Sequence, residues 1–530
     1  MWPTLRPRPR SRPSDRPSGL SPDSSRCADK WASSRRRALT SGRPVLRCPP
    51  VSSVLHPVRH IRVHPHTDHP RYARFPAMVV CAGAALAALA LATLLFPHHV
   101  LAAAGASRSS SDRAVDRAVL EAYKHHRYDE VARLLERRTP EPRWSPRALK
   151  AGVSSYLKLG KPESALSTYK RMTTSGSPDD YPLLREAALA LITSFTRDPL
   201  EHLRIAAYTG LADIETPDVV ALLDDGLLDS SLVVRARAGE GLSRIGGAGT
   251  ANNIRRTLQD TSLAVRIATL NAIGNSQNSA LLKLVAPIAR SAEGPEQVFA
   301  LAAMVKLGKV EVLDELLGLA TLPDPDTRMA ALGALGRLKR PATLKRLSQS
   351  VYDLDPAVRA FAAGALGEFG SPDVVPFLTH ALGDDQPRVR SVAATSLGRL
   401  RLPQLRSHLW QATRDPVEFV RIGGVEGLLR LGDAEALLVA TDLAKHPDPS
   451  VRSALAHALG AAGHRKTSQL LDQLLRDQQP QPRLAAARAL GKLGGRDVVP
   501  ILKKGLEDSD QAVRIAAASS LVKAVAAAKK

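Results

Sequence analysis

The strongest constraint on the fold is a repeat with a period of 31 that runs through the last two-thirds of the chain. Steps of that length from Arg359 reach eleven positions, and only one of them, Gln297, is not an arginine. We call the other ten residues the Arg ladder: Arg204, Arg235, Arg266, Arg328, Arg359, Arg390, Arg421, Arg452, Arg483 and Arg514. A period of this length without slippage predicts an array of stacked helical or strand units, not separate globular domains.

The columns of the repeat predict helices that stack on one another. We number positions in each unit from the ladder position as 0. Position +7 is apolar in all eleven units, and position +3 is Ala or Gly in nine. These positions share one face of a helix, where small residues let neighbouring helices approach closely and the larger residues fill the gaps.

Each unit is predicted to be a hairpin of two helices, helix A and helix B. Asp stands at position −6 in eight units, close to prolines, which predicts a turn and the N-cap of helix A. These residues are Asp198, Asp229, Asp260, Asp353, Asp384, Asp415, Asp477 and Asp508. Glycines are predicted to mark the end of helix A: Gly367, Gly398, Gly460 and Gly491, followed by Gly370, Gly432, Gly463 and Gly494. Asp-Val-Val at 218, 373 and 497 is predicted to open helix B.

Three segments carry a family resemblance: DPAVRAFAAGALGEFG, DQPRVRSVAATSLGRL and DQAVRIAAASSL. They resemble the HEAT-like repeats of the phycobilisome-lyase type, and the resemblance extends over residues 198–530. It implies an all-α fold, an α-solenoid that winds as a right-handed superhelix, with the B helices lining a concave face. Eleven units at about 8–10 Å between neighbouring helices then give a rod on the order of 100 Å long.

Residues 112–195 are helical in pattern but follow a different rhythm. LKLGKPESALSTY resembles a tetratricopeptide repeat around Leu159, Gly160, Ala165 and Tyr169. Two hairpins of this kind are too few for a free-standing solenoid, so we expect this segment to cap the N-terminal end of the array.

The N-terminal part predicts export or anchoring. Residues 1–77 carry about half of the formal charge of +23 and have no apolar period, which indicates a disordered basic leader or an over-extended start. In residues 78–106, an apolar run at 79–96 precedes small residues spaced as a signal-peptidase site, with cleavage near Ala104 or Ala106. Alternatively, the run is an uncleaved membrane anchor. The expected location is the periplasm or cell envelope, or the inner membrane.

Cysteine usage excludes two kinds of chemistry from the exported form. All three cysteines, Cys27, Cys48 and Cys81, lie in the leader or in the apolar run. A disulfide framework and a thiol nucleophile are therefore not expected after cleavage.

The Arg ladder has two interpretations. Ten arginines along one stripe could bind an anion, or each could pair with an Asp of the preceding turn or of the adjacent unit. The matching Asp column favours pairing. We predict no catalytic, metal-ligating or cofactor-binding residues, because the array histidines occupy different positions in their units and no glycine-rich loop has P-loop spacing.

The residues that vary on helix B are the predicted partner-binding positions. Basic side chains recur there, with one aromatic residue: Arg255, Arg256, Lys283, Lys345, Arg346, Arg406, Lys503, Lys504 and Trp410. The structural alternative is a solvated charged face and a Trp packed between hairpins.

The sequence ends at Lys530, soon after Arg514, which predicts a last helix A without a helix B. Either this helix closes the stack, or its apolar face docks onto a partner or a second copy. On the second alternative we expect weak self-association.

These patterns predict a non-enzymatic scaffold, exported or membrane-anchored, that binds another protein on the concave face of the solenoid. Nucleic acid is not the expected partner. The alternative is a cytoplasmic solenoid that binds an anionic ligand or nucleic acid through the basic helix B residues. A third alternative is an enzyme or enzyme helper similar to the bilin lyases or to HEAT-like hydroxylases.

Overall fold

The computed structural model describes residues 109–136, 143–246 and 253–527, and this part of the chain is helical without strands. The predicted leader at 1–77 and the predicted signal or anchor at 78–106 lie outside these residues. Among the described helices, none combines the length and apolarity that a membrane crossing requires. The predicted all-α solenoid is confirmed.

Among the described residues, five helices precede the array: α1 Ser110–Lys124, α2 Tyr128–Glu136, α3 Pro146–Lys158, α4 Pro162–Thr174 and α5 Tyr181–Ser194. Side-chain caps begin three of them. Ser109 and Asp112 form a reciprocal capping box on α1, and Ser145 and Asp180 cap α3 and α5. The five helices pack in chain order, with Tyr169 buried between α4 and the turn before α5.

The array contains eleven A helices in the described residues. They are α6 Glu201–Ile214, α8 Leu232–Ile245, α10 Leu263–Asn275, α12 Gly294–Lys306, α14 Pro325–Leu338, α16 Pro356–Phe369, α18 Pro387–Arg399, α20 Glu418–Arg430, α22 Pro449–Ala462, α24 Pro480–Leu493 and α26 Gln511–Ala527.

In the described part of the array, ten shorter B helices alternate with them. They are α7 Val220–Gly226, α9 Ile254–Thr257, α11 Leu282–Ser291, α13 Leu313–Leu319, α15 Leu344–Gln349, α17 Val375–Leu382, α19 Arg406–Ala412, α21 Ala436–Leu443, α23 Ser468–Leu474 and α25 Val499–Gly505. A short 3-10 turn precedes most of them, so Asp373 and Val374 lie in such a turn and α17 begins one residue later.

The Asp at position −6 is not the N-cap of helix A. In the unit that contains α16, the cap is Asp355, whose carboxylate accepts from the N–H of Ala357 at 2.7 Å. Asp353, two residues earlier, accepts from the N–H of Asp355 at 2.9 Å. The carboxylate at −6 therefore orders the turn ahead of the helix, as Asx turns do, and the helix starts later than predicted.

The first set of predicted end-marking glycines lies inside the A helices. Gly398 belongs to α18, and a Cβ built on it would lie 2.2 Å from Cα of Gly427 in α20. Gly367, Gly460 and Gly491 make similarly close approaches to the next A helix. These glycines allow tight helix packing, and the prediction that they end the helix is wrong.

The second set of glycines includes true helix ends. Gly370 and Gly463 adopt left-handed conformations, with φ of 81° and 70°, at the C-caps of α16 and α22. Between the caps, the column at position +7 forms the core of each unit: ten of its eleven side chains are fully buried, and Met304 is half-buried.

The array closes into a ring. Each A helix packs on the next one, and the last, α26, packs on the first, α6, and on α5. Gly210 of α6 meets α26 so closely that an added Cβ would lie 3.3 Å from Cγ2 of Ile515. Ion pairs cross the same junction: Arg514 to Glu163 at 2.9 Å, and Lys523 to Glu215 at 2.7 Å.

Ring closure corrects two expectations. The open rod is wrong, because the two ends of the array meet. The apolar face on which self-association depended is not free, because α5 and α6 cover it. Of the two alternatives, the last helix closes the stack.

The A helices form the inner layer of the ring, which is opposite to the predicted arrangement. Neighbouring A helices pack closely around the whole ring, whereas neighbouring B helices are splayed apart. In a closed double layer the inner circumference is shorter, so helices of the inner layer must lie closer together. The A helices, whose small residues allow close approach, therefore form the inner layer. Eleven helices at about 9 Å give a ring of about 30 Å between axes, and helix thickness leaves a lumen of about 20 Å.

Candidate functional site

The Arg ladder joins consecutive units. Arg235 donates from Nε and Nη2 to the carboxylate of Asp260 at 2.6 and 2.9 Å, and from Nη1 to the carbonyl of Asp229 at 2.9 Å. Six other arginines form the same bidentate pair with the Asp at position −6 of the next unit: Arg204, Arg328, Arg359, Arg390, Arg452 and Arg483. All seven guanidinium groups are largely buried, so they stabilise the stack and are not a free anion-binding stripe.

For the remaining ladder positions, no Asp stands at position −6 of a following unit, and these side chains have other partners. Position 291 is Ser, so Arg266 pairs with Glu296 at 2.7 Å. Gln297 donates from its amide to Glu315 at 3.1 Å. Arg421 pairs with Glu418 on its own helix at 3.0 Å. Arg514 pairs with Glu163, as described at the ring junction, and also donates to the carbonyl of Leu506.

The basic residues predicted on helix B lie on the outside of the ring and do not converge. Arg255 and Arg256 are exposed on α9, Lys345 and the half-buried Arg346 lie on α15, and Lys283 is exposed on α11. Two others on α25 are engaged within the chain: Lys503 pairs with Asp179 at 2.8 Å, and Lys504 pairs with Asp472 at 3.1 Å. Their role in partner binding stays a prediction.

Trp410 is half-buried and bound to the next unit of the array. Its indole N–H donates to Asp433 at 2.9 Å, and the Arg406 guanidinium lies 5.8 Å from the ring centroid. Arg406 also pairs with Asp433 at 2.7 Å. These contacts hold α19 against the loop between α20 and α21, which is a structural role for the aromatic residue.

The inner surface of the ring presents positions −2, +2, +5 and +9 of the A helices. One cavity of about 640 Å³ is lined by five of these helices, α6, α8, α22, α24 and α26, on both sides of the closure. Charges on this surface act between A helices that are two positions apart in the ring. Arg488 of α24 lies 3.6 Å from Asp213 of α6, and burial in the surrounding protein lowers the pKa of Arg488, with further lowering by Arg237.

A ring of cations lies at position +9, at the C-terminal ends of the A helices. We call it the basic collar: Arg244, Lys306, Arg337, Arg399, Arg430, Lys492 and Lys523. The other four residues at +9 are Asp213, Asn275, Glu368 and Ala461. Cations in the last turn of a helix are favourable for its dipole. The helix dipole explains why these positions tolerate cations, but it does not neutralise the charge of the side chains.

Three members of the basic collar have carboxylate partners. Arg244 pairs with Asp213 at 2.8 Å, and Arg430 pairs with Glu426 at 2.9 Å. Lys523 is held by the Glu215 pair at the ring junction.

The other four members have no carboxylate within ion-pair distance among the described residues: Lys306, Arg337, Arg399 and Lys492. Lys306 donates only to the amide oxygen of Asn275, at 2.7 Å. Burial in the surrounding protein lowers the pKa of Lys306, and Arg337 lowers it further. The pKa of Arg337 is also lowered by burial and is partly restored by Glu368. We call these four residues the uncompensated side of the basic collar, because among the described residues none of them forms an ion pair. Glu368 and Glu426 offset part of their charge, but only from beyond ion-pair distance.

Apolar surface borders the uncompensated side. A cavity of about 260 Å³ lies between α14, α16 and α18, and its lining includes Phe361, Val392, Arg337 and Glu368. The Phe361 side chain is 42% exposed, although its helix is otherwise well packed. A second space of about 650 Å³ adjoins Lys306, Arg337 and Arg399. Charge and exposed aromatic surface therefore lie side by side in the lumen.

The sequence interpretation missed this surface although its signal is periodic. Position +9 is basic in seven of eleven units, at the same spacing of 31 as the Arg ladder. The column was overlooked because binding was assigned to helix B. Within the described ranges, no group of three His, Cys, Asp or Glu side chains could hold a metal ion.

Comparison with protein families matches one model, described as HEAT repeats, at residues 344–428, 412–480 and 467–526. A comparison with curated proteins finds no match.

Three solved structures are similar to parts of the chain. The first is YibA of Escherichia coli, at 16% identity, covering 56% of this chain and 98% of that chain, with a TM-score of 0.25. Human deoxyhypusine hydroxylase in complex with glycerol has 18% identity, 49% and 97% coverage and a TM-score of 0.24. The complex of CpcE and CpcF of phycocyanin lyase from Nostoc sp. PCC7120 has 18% identity, 49% and 90% coverage and a TM-score of 0.28.

The family match and the helical architecture agree with each other. The matched segments begin in α15 and run to α26, which is the half of the array where the columns of the repeat are most regular. Residues 344–526 are similar to HEAT repeats, and the described part of the chain has the α-solenoid architecture.

Proposed function

We propose that this chain is a non-enzymatic scaffold, exported or anchored in the inner membrane, which holds a partner protein on the inner surface of the ring. The observation that supports it is the uncompensated side of the basic collar beside exposed Phe361. The buried arginines of the Arg ladder form ion pairs within the chain, whereas these collar cations form none among the described residues. Concave surfaces of repeat proteins are commonly used to bind other proteins.

Site-specific photo-crosslinking in native cells tests the binding surface. A photoreactive phenylalanine analogue is introduced in place of Phe361 in the lumen or, as the control, in place of Tyr352, which is 57% exposed on the outer side. We expect one crosslinked protein of defined mass from position 361 and none from 352, and direct binding of that protein once purified. Crosslinks from position 352 alone, or from neither position, would contradict the proposal.

The proposed location rests on the apolar run at 79–96 and the small residues that follow it. N-terminal sequencing of the protein from fractionated native cells tests it. Cleavage gives a start near Gly105 or Ser107 in the periplasmic fraction, and anchoring gives an uncleaved chain in the membrane fraction. An intact N-terminus in the cytosol would overturn export and anchoring together.

A further inference from the structure

The uncompensated side of the basic collar combines two kinds of binding surface in one place. Lys306, Arg337 and Arg399 lie on three A helices and share one space of about 650 Å³ in the lumen. Phe361 and Val392 lie on the same inner face, about two helical turns toward the N-terminal ends of the helices. A ligand that reaches both would need anionic groups near one end of the helices and apolar groups near the middle.

We propose that this surface binds an acidic amphipathic segment of the partner protein, with carboxylates on Lys306, Arg337 and Arg399 and apolar side chains on Phe361 and Val392. The inference rests on the proposed function, because it names the chemistry of the partner at that site. A lumen of about 20 Å accommodates a single α-helix, which is about 10–12 Å wide with its side chains.

The pattern of charge favours a peptide over a nucleic acid. Nucleic acid presents a uniform run of phosphates and is bound by a continuous positive track. The lumen instead alternates in sign, because Asp213, Glu240, Glu368 and Glu426 lie on the same inner surface as the basic collar. Carboxylates placed only at certain positions of a folded segment can meet the cations and avoid these acids.

Fluorescence anisotropy with a designed probe tests the inference on the full chain. The probe is a short fluorescein-labelled helical peptide with Glu on one face and Leu on the other; matched probes replace Glu with Gln, or Leu with Ser. The lumen variant is Arg337→Gln with Arg399→Gln. The control variant is Arg255→Gln with Arg256→Gln, which removes the same charge from the outside and leaves the basic leader unchanged in both proteins.

We expect the lumen variant to bind the acidic probe about tenfold more weakly, since two charge contacts are lost, and the control variant to change by less than about twofold. Phe361→Ala should weaken binding of the acidic probe and leave binding of the probe without Leu unchanged. Equal weakening in the lumen and control variants would overturn the inference. The peptide assignment would be wrong if the chain bound a single-stranded DNA of equal charge more tightly than the peptide and the lumen variant lost that binding.

Failure of this inference is separable from failure of the proposed function. If a partner crosslinks at position 361 but its capture is unchanged in the lumen variant, then the scaffold function stands and the acidic segment is wrong. If the lumen variant abolishes capture of the same partner while circular dichroism shows an unchanged fold, both are supported.

Discussion

Arg359 donates two hydrogen bonds to Asp384 of the next unit, from Nε to Oδ2 at 2.7 Å and from Nη2 to Oδ1 at 2.9 Å. The same guanidinium donates from Nη1 to the carbonyl of Asp353 in its own unit, at 3.1 Å. One side chain thus fixes the turn of its own unit to the turn of the following one. Repetition of this contact makes the spacing between A helices uniform through much of the ring.

Removal of one ladder carboxylate should destabilise the stack. We expect Asp384→Asn to lower the free energy of unfolding by about 1–3 kcal/mol, because the largely buried Arg359 loses its anion. The matched control is Asp385→Asn, since Asp385 also contacts Arg359 but is 77% exposed and should contribute at most about 1 kcal/mol. Urea unfolding followed by circular dichroism measures both, and an equal effect of the two variants would show that burial does not decide the strength of the pair.

The ladder carboxylates should also make the protein acid-sensitive. The Arg359 contact lowers the pKa of Asp384 from 3.8 to about 2, and the hydrogen bond from its own arginine lowers the pKa of Asp260. Burial alone would raise the pKa values of Asp415 and Asp477, but hydrogen bonds from their arginines bring both below the usual range. A carboxyl group whose pKa falls on folding stabilises the folded state above its unfolded pKa, and that stability is lost as the pH falls through the folded pKa. We expect the melting temperature to drop as the pH is lowered from about 4 to about 2, and to drop less in Asp384→Asn.

A matched pair of glycine substitutions tests the close approach of the A helices. Gly398→Ala should destabilise the protein, because the new Cβ would lie 2.2 Å from the backbone of Gly427, which cannot move aside without separating α18 from α20. Gly364→Ala lies on the lumen face, where the nearest atom is 3.5 Å away, and should stabilise α16 by about 0.5–1 kcal/mol through helix propensity. Thermal melts compare the two, and destabilisation by Gly364→Ala would show that the inner face is more crowded than its geometry indicates.

The ring junction should open when a charge is buried in it. Ile515 is 1% exposed against α6, so Ile515→Asp should separate α26 from α6, increase the radius of gyration in small-angle X-ray scattering and expose apolar surface. Self-association should then appear in analytical ultracentrifugation. Ser509→Asp adds the same charge at an exposed position before α26 and should leave a monomeric closed ring. Unchanged scattering from Ile515→Asp would mean that other contacts maintain the ring.

The sequence predicted the helical hairpins because their determinants are local. The small residues at +3, the leucines at +7 and the Arg and Asp columns each report on a helix face or on contact with an adjacent unit. The predicted N-cap at Asp353 is two residues before the true N-cap, Asp355. The sequence could not separate the two, since an Asx turn and an N-cap favour the same residue types.

Ring closure and the basic collar could not be predicted in the same way. Curvature is the sum of small rotations between units, and contacts such as Gly398 against Gly427 set those rotations only in three dimensions. Because the sequence does not say which layer is inside, the basic residues at +9 were assigned to no surface, and those on helix B were assigned to the concave one.

Closure of the ring also restricts how the number of repeats can change. Eleven units complete a full circle, so each contributes a rotation of about 33°. An open solenoid can gain a unit by duplication within the gene, or lose one by deletion, and remain intact. Here the addition or deletion of one repeat would leave α26 displaced from α6 by a whole unit. Lineages of this protein should therefore conserve repeat number as strictly as they conserve repeat sequence.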